Sequence, residues 1–168
     1  AQLDADFAAP ILISQHMSDG FVDGMVQWLS NFSRLPIKVA VDGEIIEAQQ
    51  VYVSPSEQHM SVDASHRIKL LARQEGDMYR PCCNYMLDSL AQHFGRHVIA
   101  LIMTGMGRDG ASGMQKVKDS GGLTLAQDEA SSVIFGMNHE AISRGCIDEV
   151  IALEDIAQRL NQLVKGRQ

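Results

Sequence analysis

The chemistry that the sequence suggests centres on the loop of residues 105–110, which read GMGRDG. Its glycines fit the pattern G-x-G-x-x-G, and Asp128 lies downstream near the spacing of a dinucleotide-binding fingerprint. The loop also contains Asp109, a carboxylate that could orient a general base, or simply cap the helix that follows. The sequence therefore offers either phosphate binding or proton transfer at this loop.

Phosphate binding is disfavoured by the charge of Asp109. In the dinucleotide fingerprint, the N-terminus of the following helix accepts a pyrophosphate. Asp109 would place a negative charge beside that pyrophosphate. Two like charges about 4 Å apart repel by about 4 kcal/mol at an effective dielectric constant of about 20. The fingerprint also comes late in the chain, after a β-rich region. An NAD(P)-binding oxidoreductase is therefore only a third interpretation, and no cofactor is predicted.

A candidate general base, His16, follows a different apolar strand. Residues 11–14 read ILIS, which is typical of a buried strand, and residues 97–103 (HVIALIM) precede Asp109 in the same way. Because the carboxyl ends of parallel strands share one edge of a sheet, we expect both loops at that edge. A histidine there can act as a general base, and a carboxylate can orient it and stabilise its charged form.

The nucleophile that this pair would serve is not evident. Ser112 lies in a G-A-S-G turn, but its spacing places it in the first turn of a helix rather than on a strand-to-helix elbow. Cys82 and Cys83 precede a helix and could supply a thiol, although small buried residues at a helix start explain them better. Ser14 belongs to the strand itself, and its side chain follows the alternation of that strand. No residue of the sequence completes a convincing triad.

The composition is that of a globular protein with a net negative charge. Hydrophobic residues make up 45% of the 168 residues, and 14 basic against 21 acidic side chains give a net charge of −7. This charge argues against nucleic acid or an anionic membrane as a partner, and no apolar run predicts membrane insertion. Three cysteines without framework spacing favour a cytoplasmic location. No metal site is predicted, because His93 and His97 lack the H-E-x-x-H pattern.

The order of apolar strands and amphipathic helices predicts an α/β fold with a mostly parallel, doubly wound sheet in three layers, α/β/α. Between about residues 37 and 71, short β-rich pieces alternate with Asp-Gly and Ser-Pro breaks, which predicts a hairpin-rich insert. We expect a single domain over residues 1–168. One predicted helix has an apolar face formed by Phe21, Met25, Trp28 and Leu29, and we assign Phe21, Met25 and Trp28 to the core.

Four motifs lie in order along the chain. They are residues 15–21 (QHMSDGF), 52–60 (YVSPSEQHM), 101–110 (LIMTGMGRDG) and 126–142 (AQDEASSVIFGMNHEAI). They resemble Q-H-M-x-x-G-F, Y-I-A-P-x-x-x-H-M, L-T-G-M-G-x-D-G, and Q-x-E-A-S with F-G-M-x-x-E-A-I of the chemotaxis receptor methylesterases, the CheB family, in its C-terminal effector domain. The resemblance covers nearly the whole chain, and four ordered motifs are far more specific than any one alone.

The resemblance implies a Ser-His-Asp esterase that hydrolyses glutamate methyl esters on chemoreceptors, with glutamine deamidation as a further activity. By motif position, His16 is the expected base and Asp109 its partner. Gly105 and Met106 are expected at the oxyanion hole. Arg80 is expected to line the cleft, and no metal or organic cofactor is required. The expected partners are methylated cytoplasmic helices of chemoreceptors, with a receiver domain upstream in the full-length protein. His59 is a further candidate for lining the cleft.

The chain departs from the family pattern in two places that matter. The family's serine lies in a G-A-S-T-G-G turn, which the sequence does not contain. We expect this turn upstream of Ala1, so that the 168-residue chain is N-terminally incomplete and inactive by itself. The alternative is a catalytically silent module that binds chemoreceptors. The family's R-P-S-x-D reads RPCCN at residues 80–84, where Asn84 replaces an aspartate.

Overall fold

Parallel strand pairing dominates the computed structural model, which describes residues 2–166. Within these residues, four of the five strand pairings are parallel and one is antiparallel. Backbone contacts divide the chain into two units: unit 1 runs to Pro81 and includes residues from Ala157 onward, and unit 2 is Cys82–Ile156. The predicted mostly parallel α/β fold is confirmed. The single domain over residues 1–168 stays a prediction.

Unit 1 contains a three-stranded parallel sheet. Strands β1 (Ile11–Ile13) and β2 (Ile37–Val39) flank β3 (Val51–Val53). All three residues of β3 are buried, as the central strand of a parallel sheet requires, since both of its faces are covered. Helix α1 (Val22–Ser30) connects β1 to β2.

Unit 1 also contains one antiparallel hairpin, formed by β4 (Gln58–Val62) and β5 (Ile68–Ala72). The predicted hairpin-rich insert over about residues 37–71 is therefore too wide. Strands β2 and β3 have the short, turn-flanked sequences of hairpin strands, but they pair in parallel with each other. The local sequence indicates where the turns lie. Contacts between residues distant in sequence decide which strands pair with each other.

Helix α1 is less buried than predicted. Phe21 and Trp28 are 66% and 60% exposed, so their assignment to the core is wrong. Met25 and Leu29 on the same helix are half-buried, and Val22 is its buried residue. Helical spacing identifies an apolar face, but it does not show whether another element covers that face.

Unit 2 is built on a second three-stranded parallel sheet, in the order β6 (Ile99–Ile102), β7 (Leu123–Gln127) and β8 (Glu149–Ile151). Its helices are α2 (Cys83–Phe94), α3 (Ala111–Asp119) and α4 (Met137–Ser143). The final helix, α5 (Leu153–Lys165), begins in unit 2, but its residues from Ala157 onward belong to unit 1. Within residues 2–166, no helix has the combined length and apolar character that crossing a bilayer demands. The core of unit 2 includes Leu87, Val98, Ile102, Met114, Val117 and Ala141.

Helices α2 and α3 approach each other closely at Gly113. A Cβ atom on Gly113 would lie 2.5 Å from Leu87 Cβ and 2.9 Å from Leu87 Cδ1, closer than real Cβ contacts allow. Only glycine therefore fits at this point of α3. The close approach also sets the first turns of the two helices side by side.

We expect Gly113→Ala to lower the free energy of unfolding by about 1–3 kcal/mol, because the added methyl group must displace Leu87. Gly24→Ala in α1 is the matched control, since nothing lies within 4 Å of a Cβ at Gly24. There the higher helix propensity of alanine should raise stability by up to about 1 kcal/mol. Urea denaturation followed by circular dichroism measures both effects. Wild-type stability of Gly113→Ala would contradict the close packing.

Candidate active site

Asp109 lies in the loop between β6 and α3 and is fully buried. Its Oδ2 accepts a hydrogen bond from the Cys83 N–H at 2.6 Å. Its Oδ1 accepts from the N–H groups of Gly110 at 2.9 Å and Asn84 at 3.3 Å, and from the Cys82 thiol at 3.1 Å. These donors hold the carboxylate at the N-terminus of α2, where the helix dipole stabilises a negative charge.

Asp109 therefore caps a helix, but not the helix that follows it in sequence. An aspartate before a helix commonly caps that helix. Here the side chain binds the N–H groups of Cys83 and Asn84 in the first turn of α2. The N-cap of α3 is Gly110, whose φ of 83° lies in the left-handed region that glycine adopts without strain.

Helix α3 is capped in return by a side chain of α2. Asn84 Oδ1 accepts hydrogen bonds from the Gly113 N–H and the Ser112 hydroxyl, both at 2.8 Å. We name this exchange between Asp109 and Asn84 the helix clasp. An amide oxygen accepts such bonds as a carboxylate does, so the asparagine at this position keeps a capping function that needs no charge.

The helix clasp argues against two other uses of the glycine-rich loop. A pyrophosphate at the start of α3 would need the Gly113 N–H, which already donates to Asn84. Ser112 lies in the first turn of α3, where its spacing predicts it. Its hydroxyl donates to an amide oxygen, which cannot take up a proton as a general base does.

The surroundings of the two cysteines at the start of α2 fit a structural role rather than that of a nucleophile. Cys83 is buried and donates its N–H to Asp109. Burial and the hydrogen bond from its thiol to Asp109 raise the pKa of Cys82 to about 12. Such a thiol carries very little of the reactive thiolate near neutral pH, so Cys82 lacks the character of a nucleophile. No disulfide joins the cysteines in the described part of the chain.

The loop that precedes Asp109 is fixed by the N-terminus of α4. The Gly105 carbonyl oxygen accepts hydrogen bonds from the N–H groups of Gly136 at 3.1 Å and Met137 at 2.9 Å. In a trans peptide, a carbonyl and the following N–H point in opposite directions. The Met106 N–H therefore points away from α4, and no group within residues 2–166 accepts a hydrogen bond from it.

Buried amide side chains stabilise the same loop through hydrogen bonds. Gln127, at the end of β7, is 1% exposed; its Oε1 accepts from the Thr104 N–H at 3.1 Å and its Nε2 donates to the Ser131 carbonyl at 2.8 Å. Asn138 of α4 is fully buried and donates to the Gln127 carbonyl at 3.0 Å. The sequence assigned no role to Gln127 or Asn138. The only sequence feature that could have identified them is that these amide residues occur beside apolar residues in the fourth motif.

His16 lies in unit 1, in the loop after β1, and is half-buried. Its imidazole stacks on the ring of Tyr79, with ring centroids 5.2 Å apart and planes inclined by 14°. The N–H of Met17 donates to the Arg80 carbonyl at 3.1 Å. The structure thus brings Arg80 to the histidine loop through its backbone, while its side chain is exposed. Tyr79 was not identified from the sequence.

Residues that flank the hairpin of unit 1 form hydrogen bonds with the chain just after His16. Arg73 donates to both carboxylate oxygens of Asp19 at 2.6 Å and to the Glu57 carbonyl at 2.9 Å. The Glu57 side chain accepts from the Gly20 N–H at 3.0 Å. Hydrogen bonds from its own N–H and from the Gly20 N–H lower the pKa of Glu57. The turn between β1 and α1 is therefore tied to the two residues that flank the hairpin, Glu57 and Arg73.

His59 is fully buried on β4, and its Nε2 lies 2.8 Å from Asp77 Oδ2. The hydrogen bond with His59, together with one from the Gln74 N–H, lowers the pKa of Asp77. A fully buried imidazole does not line an open cleft, so the expected cleft role of His59 is wrong. The residue instead tethers the chain that follows β5.

Each unit, taken by itself, holds polar groups that follow a parallel strand. In unit 2 these are the buried carboxylate of Asp109 and the backbone N–H of Met106, and in unit 1 it is the half-buried imidazole of His16. Groups of these types occur in the active sites of α/β hydrolases. The family model described as CheB methylesterase matches residues 1–160, and the chain belongs to that family.

Relatives and a solved structure agree with this assignment. The chain is 45% identical to protein-glutamate methylesterase/protein-glutamine glutaminase 3 of Paramagnetospirillum magneticum, over 97% of this chain and 46% of that protein. It is 42% identical to protein-glutamate methylesterase FrzG of Myxococcus xanthus, over 94% of this chain and 47% of that protein. The chain thus spans about half the length of these curated relatives.

The fold matches the crystal structure of the Thermotoga maritima CheB methylesterase catalytic domain. The TM-score is 0.91 at 35% sequence identity, and the match covers 96% of this chain and 87% of that one. The fold class is therefore three-layer α/β/α, as the sequence predicted.

We expect the Cys82 thiol to resist alkylation by iodoacetamide at pH 8. A pKa raised from 9.0 to about 12 lowers its thiolate fraction by about a thousandfold. Asp109→Asn should increase the rate, because the hydrogen bond and charge of Asp109 both raise this pKa. Mass spectrometry of the Cys82 peptide measures the rate, with urea-unfolded protein as the control. Alkylation of Cys82 in the folded protein at the rate measured for the unfolded protein would contradict the raised pKa.

Proposed function

We propose that this chain is the catalytic domain of a protein-glutamate methylesterase that removes methyl groups from glutamate side chains of chemoreceptors. Family membership over residues 1–160 carries the proposal. Relatives are named protein-glutamate methylesterase/protein-glutamine glutaminase, so we propose deamidation of glutamine as a second activity. Both reactions attack the carbonyl carbon of a glutamyl side chain, so one site can perform them.

In the proposed mechanism, a serine attacks the ester carbonyl while His16 accepts its proton as general base. The carbonyl oxygen becomes an oxyanion. When the tetrahedral intermediate collapses, His16 gives the proton to the methoxy oxygen and methanol leaves. Water then attacks the acyl-serine ester by the same route, which regenerates the serine and releases glutamate. Asp109 orients His16 and stabilises its imidazolium form.

The surroundings of Asp109 support its role in this mechanism. Burial by itself opposes a charged carboxylate. Hydrogen bonds from the N–H groups of Cys83 and Asn84, and the dipole of α2, oppose that effect and stabilise the charge. A carboxylate held in this way provides a fixed negative charge for an imidazolium.

The Met106 N–H is proposed as an oxyanion donor. Its direction is set before substrate binds, because the preceding carbonyl is held by Gly136 and Met137. Donors that are fixed in advance need no reorganisation as negative charge develops on the substrate oxygen. The Met106 side chain is 77% exposed, which is compatible with a substrate polypeptide lying against this loop. Arg80 is proposed to line the cleft.

The serine of the mechanism is proposed to lie outside the 168 residues, in the family's G-A-S-T-G-G turn. Methylated cytoplasmic helices of chemoreceptors are the proposed substrate, a receiver domain is the proposed regulatory partner, and the cytoplasm is the proposed location. The second candidate is a silent module that binds chemoreceptors without hydrolysing them. The coding sequence upstream of Ala1 separates the two: a strand followed by the serine turn supports the esterase, and its absence supports the silent module.

We expect the serine-containing protein to release methanol from methylated chemoreceptors. His16→Ala and Asp109→Asn should each lower the rate by about 1,000-fold or more, because the triad acts as a unit. Gas chromatography of released methanol measures the rate. The 168-residue chain alone is the control and should show only the uncatalysed rate. Full activity in either variant would refute the assignment of base and partner.

We expect Gly136→Ala to lower kcat by about tenfold or more, with a smaller effect on KM. A Cβ at this position would lie 2.7 Å from the Gly105 carbonyl oxygen and 3.3 Å from Met106 Cα, so it must push the oxyanion loop aside. Steady-state methanol release measures the effect, with Gly24→Ala as the control. Wild-type kcat in Gly136→Ala would count against Met106 as an oxyanion donor.

A further inference from the structure

The chain after β5, residues 73–80, lacks regular secondary structure but is fixed at both ends. At its start, Arg73 donates to the Glu57 carbonyl at 2.9 Å. At its end, the Arg80 carbonyl accepts from the Met17 N–H at 3.1 Å. We name residues 73–80 the anchor segment, because it runs from the hairpin to the histidine loop within unit 1.

The middle of the anchor segment is held by the pair of His59 and Asp77. Nε2 of the fully buried His59 lies 2.8 Å from Asp77 Oδ2, and the Gln74 N–H donates to the same oxygen at 2.6 Å. Hydrogen bonds that involve a carboxylate are stronger than neutral ones, and breaking one at a buried group is costly. The pair therefore fixes the backbone two residues before Tyr79.

Tyr79 in turn presents its ring to His16. The planes are inclined by only 14° at a centroid distance of 5.2 Å, which is a stacked arrangement. An imidazole in a loop can rotate about two side-chain torsions, and a flat neighbour restricts that rotation. The anchor segment thus contacts both the ring of His16 and the backbone of Met17.

We propose that Tyr79 is a positioning residue for His16, held in place by the His59–Asp77 pair. The inference rests on the proposed function. A general base must keep one ring nitrogen directed at the nucleophile and the other at its carboxylate, so a fixed ring plane raises kcat. The role requires the aromatic face of residue 79 rather than its hydroxyl group.

The first test measures ring geometry without any need for activity. In NMR spectra of the 168-residue chain, the ring current of Tyr79 should displace the ring-proton resonances of His16. Tyr79→Leu should shift these resonances strongly, and Tyr79→Phe should leave them near their wild-type positions. Asp77→Ala, which releases the anchor segment, should shift them as Tyr79→Leu does. Tyr79→Met replaces the leucine variant if that variant gives no dispersed spectrum.

The matched control is Asp63→Ala. Asp63 accepts two backbone N–H bonds in the turn between β4 and β5, outside the anchor segment. Its loss should leave the His16 resonances in place. Equal shifts in Asp63→Ala and Asp77→Ala would overturn the specific role of the anchor segment.

The second test measures methanol release by the serine-containing protein. Tyr79→Leu should lower kcat by about tenfold or more with little change in KM, and Tyr79→Phe should keep kcat within about threefold of wild type. If wild type is active and Tyr79→Leu keeps its kcat, or Tyr79→Phe loses as much as Tyr79→Leu, the positioning role is overturned alone. An inactive wild type overturns the proposed function and this role together.

Discussion

The buried carboxylate of Asp109 at the N-terminus of α2 is the interaction on which the organisation of unit 2 depends. It satisfies the first N–H groups of α2, and in exchange Asn84 satisfies an N–H group of α3. Gly113 permits this exchange, because any side chain there would separate the two helices. The charge proposed to assist catalysis is thus the same charge that begins a helix, so stability and chemistry share one set of atoms.

The loops around the candidate site are fixed mainly by groups distant in sequence. A helix N-terminus in α4 orients the Gly105 peptide, and the buried Gln127 holds Thr104 just before it. In unit 1, Glu57 and the anchor segment restrain the loop of His16. In both units, a glycine-containing or irregular loop gains a defined geometry from hydrogen bonds to groups distant in sequence, which is what preorganised catalysis requires.

The sequence predicted those features that leave a local pattern. A continuous apolar run revealed β6, in which Ala100 and Ile102 are buried, and the ordered motifs identified the loops of His16 and Asp109. Contacts between distant residues leave no such pattern: His59 and Asp77 are 18 residues apart, and Asn84 and Gly113 are 29 apart. The exposure of Trp28 was missed for a related reason, because helical periodicity does not show what covers an apolar face.

Whether His16 and Asp109 serve one nucleophile is tested most directly by a double-mutant cycle in the serine-containing protein. The quantity to measure is kcat/KM for His16→Ala, Asp109→Asn and the variant that combines them. Residues that act as a unit lose their contribution once, so the combined variant is predicted to be no slower than the slower of the two single variants. A combined variant whose loss equals the product of the two single losses would contradict the proposed triad.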